Sequence, residues 1–470
     1  MHNPRPLNCM RYKWGGRLPE KGGIAMKTKL MALLLALAMV LALCGCAAKA
    51  APASEGSQSA PSAGEGSAVS EPPTDVEPVS VQAEYPAPPE DWEAYQQMLE
   101  ENPVDADFLA ALNRFALRSS AQLLSGEGGC VSPLSIYYAL ALAAEGAQGD
   151  TARELYALLG ADGERLGEQC SNLFRRLYAE DEEGTLLMAN SLWLDEEVQG
   201  SPVRFREDYL KKAVERYYAS VFNVDFADAA TGEKIGDWIY ENTREKLRFE
   251  PEANADQMMA ILNTVYFNSP WRDPFVKELT QEDRFTCADG TEQTAPFMHR
   301  SETGRYYRGE DYSAASLSLC KGRMNFFLPD EGVDVHSLLS HEDLFTAPET
   351  ADGDKTYRIE WSVPRFTCES KWSVLPALQA LGVKLAFSGD ADFSALSDTP
   401  AHITAIEQGT RIGVDEDGVE AAAYTYLSME TQGALMEEPE VVEMNLNRPF
   451  LYTLTSQEGA VLFVGICEGM

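Results

Sequence analysis

The chain has 470 residues, 45% of them hydrophobic, which excludes a disordered polymer and suffices for one large single-core domain or two ordinary ones. Its 38 Lys plus Arg stand against 74 Asp plus Glu, and a formal charge of −36 argues against nucleic acid or anionic lipid headgroups as electrostatic partners. The nine cysteines are scattered, with only Cys44 and Cys46 close together, so no metal, cofactor or CxxC chemistry is expected; the six beyond Cys46 permit disulfides without demanding them, and buried free thiols are the expectation.

Residues 1–25 are polar and fit no targeting scheme, as an upstream extension from a start codon placed too early would be. From Met26, a charged Met-Lys-Thr-Lys precedes an apolar run from Leu30 to Leu43, so residues 26–45 read as a signal peptide too short for a permanent span. Leu43-Cys44-Gly45-Cys46 resembles the lipobox of bacterial lipoproteins, which makes Cys46 the expected lipidated N-terminus and the lipid the only membrane attachment, on the extracellular face; cleavage elsewhere, as after Ala48, with a secreted product is the alternative. Residues 46–95, rich in Ala, Pro, Ser and Glu, cannot bury enough surface to order themselves and read as a tether to a domain spanning 96–470.

Phe108, Leu112, Phe115 and Ala116 recur at helical spacing and predict an amphipathic helix over 107–124. Ser132-Pro133 predicts a capped helix start, with proline where its missing N–H costs nothing, and the helix runs to Gly146. Thr151 and Glu154 form a capping-box pattern for the next helix, which Gly160 ends. Runs at 186–194, 258–268 and 357–366 are apolar, β-branched or aromatic and of strand length, as are the last 30 residues. The order predicts an α+β domain on a large, mostly antiparallel sheet, without internal repeats.

SPLSIYYALALAAEGAQGDTARELYALLG (132–160) resembles the early helices of the serpin family, and further matches follow in order: ANSLW (189–193), VDF (224–226), KIGDWI (234–239), LNTVYFNSPWRDPF (262–275), VPRF (363–366), LGV (381–383), ADFSAL (391–396), DEDGVEAAA (415–423), NRPF (447–450) and LFVGI (462–466). The resemblance implies the serpin fold: helices packed on a main sheet, smaller sheets, and an exposed reactive-centre loop that inserts into the main sheet after a protease cuts it. It implies a monomeric suicide inhibitor of a serine or cysteine protease, not an enzyme; a non-inhibitory binding protein or chaperone on the same fold is the alternative. The four histidines beyond Cys46 (299, 336, 341 and 402) stand beside no plausible nucleophile, and GxSxG and HExxH are absent.

By that resemblance the hinge is Glu416, Gly418, Val419, Glu420, Ala421, Ala422 and Ala423, the residues governing sheet opening are Ser132, Ser135, Asn263 and Gln408, and Trp271 marks where the loop enters. Gln408 stands where the family often has histidine. An inserting strand needs small or apolar residues at every second place. Val419, Ala421, Ala423, Thr425, Leu427 and Met429 form such an inward set, while Glu420 and Glu430 fall in the other. Counting forward from Glu416 with the family's spacing puts the reactive bond at Gln432-Gly433, whereas counting back from NRPF lands near Glu438. Cleavage after Met429, Leu435 or Met436 would suit elastase-like or chymotrypsin-like enzymes, and after Glu430 a glutamate-specific one. No Arg or Lys lies between Arg411 and Arg448, so a trypsin-like target is not expected.

Overall fold

In a computed structural model the described residues are 81–350, 355–419 and 439–470. Cys46, Glu420, Ala421, Ala422, Ala423, the bond Gln432-Gly433 and the alternative cleavage positions Met429, Glu430, Leu435 and Met436 lie outside them.

The first helix, α1 (Trp92–Glu101), is capped by Asp91, whose carboxylate accepts from Ala94 N at 2.9 Å. Described residues before 96 also pack on the folded body: Val81 exchanges backbone hydrogen bonds of 3.0 and 2.9 Å with Val221, and Tyr85 stacks on Tyr178 at 5.1 Å. A bridge and a ring contact hold residues 81–85, which composition alone assigns to a tether. Next, α2 (Ala106–Leu123) buries Phe108, Leu112 and Phe115 as its periodicity predicts.

The central helix, α3 (Pro133–Gly146), has Ser132 as its N-cap, accepting from Ser135 N at 3.4 Å, and nearly every side chain on it is buried. α4 (Gly149–Leu159) ends at Gly160 with φ +71°, a left-handed position that glycine adopts without strain. The capping box is corrected. Thr151 lies inside α4 and its hydroxyl accepts from Asp392 N at 3.0 Å, while the Glu154 carboxylate accepts from Lys384 N and Leu385 N at 2.7 and 2.8 Å. Both side chains satisfy backbone amides of a distant segment rather than their own helix. The remaining α-helices among the described residues are α5 (Gly163–Leu177), α6 (Glu207–Tyr217), α7 (Ala229–Asn242), the short α8 (Ala347–Thr350) and α9 (Leu375–Ala380).

The main sheet runs β14 (Phe366–Ser373), β15 (Glu407–Val414), β16 (Gly418–Val419), β7 (Met259–Pro270), β3 (Gly184–Leu194) and β2 (Ala179–Asp181), with β6 (Ala219–Asn223) alongside β3. Only the β3–β6 pair in it is parallel. The second sheet runs β1 (Gly129–Val131), β19 (Val461–Cys467), β18 (Phe450–Ser456), β12 (Gly322–Pro329), β11 (Tyr312–Leu319) and β10 (Tyr306–Arg308). The third runs β17 (Val441–Asn445), β13 (Tyr357–Pro364), β9 (Glu292–Gly304) and β8 (Gln281–Thr286), and β4 (Glu197–Val198) pairs with β5 (Ser201–Pro202).

The single strand expected over 357–366 is two. It breaks at Arg365, β13 joining the third sheet and β14 the main one, and Pro364, lacking an N–H, ends the first ladder. The six cysteines of the described residues are free thiols as expected, although only Cys130, Cys170, Cys287 and Cys467 are buried, with Cys320 and Cys368 half-buried.

Candidate functional site

β15 turns back into β16 through Asp415, Glu416 and Asp417. Asp415 closes the turn, its carboxylate accepting from Asp417 N at 2.9 Å and Gly418 N at 3.1 Å, and its own N–H donating to Gly418 O at 3.0 Å. Trp271, at the end of β7 and 1% exposed, donates its indole N–H to Asp415 O at 2.8 Å and its backbone N–H to Asp417 O at 3.0 Å. The Glu416 carboxylate, almost fully buried, accepts from Thr280 Oγ1 at 2.7 Å and lies 3.6 Å from Arg365 Nε. On the outside, Lys277 pairs with Asp417 at 2.7 Å, which raises the lysine's pKa.

From this turn β16 enters the sheet. Gly418 pairs with Pro270, and Val419, fully buried, pairs with Ser269 on one side and Val414 on the other. There the ladder stops. Beyond Val419 no strand among the described residues occupies the space between β7 and β15, and the two face each other across a cavity of about 1070 Å³ whose lining includes Ile261, Asn263 and Val265 of β7 and Gln408, Thr410 and Ile412 of β15. A gap between two strand edges inside a sheet is a template for a further strand.

The first turn of α3 lies under this gap as a crosspiece. Gln408, 7% exposed, grips Ser132 from β15: its Oε1 accepts from Ser132 N at 3.0 Å and its Nε2 donates to Ser132 O at 2.8 Å. One turn on, Ser135 Oγ donates to Asn263 O of β7 at 3.2 Å. Ser132 Oγ donates to Leu462 O of β19 at 2.9 Å, fixing the crosspiece to the second sheet. Asn263 is held in turn by Asn190 of β3, which accepts from it at 2.7 Å and donates to Tyr217 O at 2.6 Å. Asn263 Oδ1 is buried without a partner on the cavity lining.

Ser132, Ser135, Asn263 and Gln408 thus gather at one place, and Trp271, Glu416, Gly418 and Val419 at another, eight residues along β7 or about 27 Å away. Gln408 fills its position by gripping backbone on both sides with a neutral amide, which no proton switches at ordinary pH. Sequence reasoning missed Asn190, Thr280, Arg365 and Lys277, whose partners lie 73, 136, about 50 and 140 residues away; no local spacing signals them. His336 is tied to Leu124 O at 2.5 Å and to Glu468 at 2.9 Å, and His341 to Asp311 at 3.3 Å, which are structural pairings.

A family model described as Serpin (serine protease inhibitor) matches residues 110–468. Mouse neuroserpin is 30% identical over 356 residues, covering 71% of this chain and 84% of its own, and Iripin-2 of Ixodes ricinus is 27% identical, covering 77% and 93%. Among solved structures, the native state of the thermophilic serpin Tengpin superposes with a TM-score of 0.71 at 24% identity, covering 83% of this chain and 98% of that one. Serpin48 of Tenebrio molitor gives a TM-score of 0.66 at 27% identity, covering 78% and 99%. With the family model spanning most of the folded body and these relatives matched over most of their length, the chain belongs to the serpin family of protease inhibitors.

Proposed function

We propose that this serpin is an irreversible suicide inhibitor of serine proteases, elastase-like or chymotrypsin-like rather than trypsin-like, that traps the acyl-enzyme by drawing its cleaved loop into the gap between β7 and β15. The observation that carries the reading is the ladder through Val414, Val419 and Ser269, which starts a strand in that gap. Extended one for one, its register sets Met429 against Met259, the first residue of β7, and Tyr426 against Glu407, the first of β15. Ala421, Ala423, Thr425, Leu427 and Met429 then share the face of buried Val419, and both charged residues take the other. The inserted stretch from Val419 spans about 34 Å and ends three residues before Gln432, which favours the bond Gln432-Gly433 over one near Glu438.

In the reaction the protease's nucleophile attacks the carbonyl at the scissile bond, the amine of the following residue leaves, and insertion displaces the acyl-enzyme before water reaches the ester. The inhibitor contributes no catalytic group. Its native fold is held kinetically, because the inserted form has the fuller sheet. The lipobox-like sequence at Cys46 supports a lipid-anchored monomer on the outer face of a bacterial membrane, which partition of the labelled chain into membranes would test. Inhibition is tested by mixing the chain with elastase: an SDS-resistant covalent band is expected. A loop that is merely cut while elastase stays active would overturn the inhibitor and leave the non-inhibitory binding protein.

A further inference from the structure

Cys130 and Cys368 meet where the second sheet packs beneath the main one. The backbone of Cys130 on β1 is woven into β14 and β15: its N–H donates to Ser370 Oγ at 3.0 Å, and its carbonyl accepts from Trp372 Nε1 at 2.8 Å and Thr410 Oγ1 at 2.6 Å. These bonds leave β1 no room to slide past β14. The Cys130 thiol points at its neighbour, 3.4 Å from Cys368 O and 3.5 Å from Thr410 Oγ1. Cys130 is fully buried, whereas Cys368 is only partly buried.

We propose that Cys130 and Cys368 are a redox-active dithiol that closes to a disulfide stapling β1 of the second sheet to β14 of the main sheet. The chemistry needs a small disulfide oxidant. The Cys368 thiolate attacks one sulfur of the oxidant and releases the other half as a thiolate. The Cys130 thiol then loses its proton, attacks the Cys368 sulfur and expels the second half. Two protein thiols become one disulfide and the oxidant becomes two thiols.

The surroundings suit this division of labour. The adjacent Cys130 side chain brings the Cys368 thiol down to about 7, helped by the neighbouring Tyr452 and Ser370 hydroxyls against the opposing effect of burial. The Cys368 side chain, with burial, holds Cys130 well above the usual thiol value, and burial pushes Cys467 up to about 12. A partly buried thiol of low pKa beside a fully buried resolving partner is the arrangement that oxidises selectively. The pair is 238 residues apart in sequence, so closing it removes a large share of the unfolded chain's freedom.

The full chain with its thiols reduced is incubated with oxidised glutathione and digested without reducing agent. A peptide joining Cys130 to Cys368 and the loss of two thiols are expected; glutathione remaining on Cys368, or Cys130 joined to another cysteine, would overturn the pairing. Cys130→Ala should halt the reaction at the glutathione adduct on Cys368, and Cys368→Ser should leave Cys130 unmodified, while the unsubstituted chain decides the pairing should either variant fail to fold. Alkylation of Cys368 should titrate with a midpoint of about 7, and an ordinary thiol midpoint would count against its role as attacking group. The oxidised chain should melt several degrees higher in a manner dithiothreitol reverses, and unchanged melting would refute the staple.

Discussion

Replacing Gln408 by Ala removes the grip of β15 on the crosspiece. Two hydrogen bonds of 3.0 and 2.8 Å are lost in a place where both residues are buried, at about 1 kcal/mol net each. The Ser132 amide is the N-cap of α3 and makes no helical bond, so burying it unsatisfied adds about 1–3 kcal/mol, for a total of about 3–5 kcal/mol. That loss falls on the arrangement with the gap unfilled. Taking about 2 kcal/mol off the barrier to widening the sheet speeds spontaneous conversion of the native chain roughly 30-fold. The half-life of the native band on non-denaturing gels at elevated temperature measures it, and hydrogen exchange at the Ser132 amide reports the local cause. A half-life within about twofold of the parent, with exchange at Ser132 unchanged, would refute the crosspiece as the restraint on opening.

Gln408→His should bring in pH dependence that the parent lacks. Only a neutral imidazole can accept from Ser132 N–H, so the folded-state pKa is depressed, and the stabilisation is present above the free histidine value of about 6.5 and lost as pH falls through the folded value; melting at about pH 8 and about pH 5 checks this. Ala421→Arg places a charge on the face shared with Val419 and should turn inhibitor into substrate, read as a rise in molar equivalents needed per protease inactivated; unchanged stoichiometry would sink the proposed register. Gly465→Ala sets a methyl 2.2 Å from Tyr452 Cζ on the paired strand, where the ring is fully buried, and should cost at least about 3 kcal/mol in a denaturant melt.

How much of this was legible in the sequence depends on how far each interaction reaches. The start of α3 was readable because Ser132 and Pro133 act within one turn, and the end of α4 because Gly160 needs only its own backbone. Thr151 and Glu154 misled because the same side chains that cap locally serve Asp392, Lys384 and Leu385 here. The break at Arg365 is marked in the sequence by Pro364 alone, since strand-forming residues resume at Phe366, and only the partner strands reveal two sheets. At the site, family motifs located Ser132, Asn263, Trp271 and Gln408, but the gap itself is a relation between β7 and β15, which lie 137 or more residues apart in the chain. Nothing within either strand records what stands beside it.

The position of β18 and β19 bears on how the molecule is made. Vectorial synthesis produces β1, then β12, more than a hundred residues before the hairpin that must lie between them in the second sheet. Until Phe450–Cys467 emerges from the ribosome, the edges of β1 and β12 that it will pair with have no partner, and Leu451, Leu454, Val464 and Ile466, all buried at the end, are missing from the interior. Such a nascent chain is exposed to chaperones and to self-association through its open edges for most of its synthesis, and the interior closes only when the final hairpin arrives.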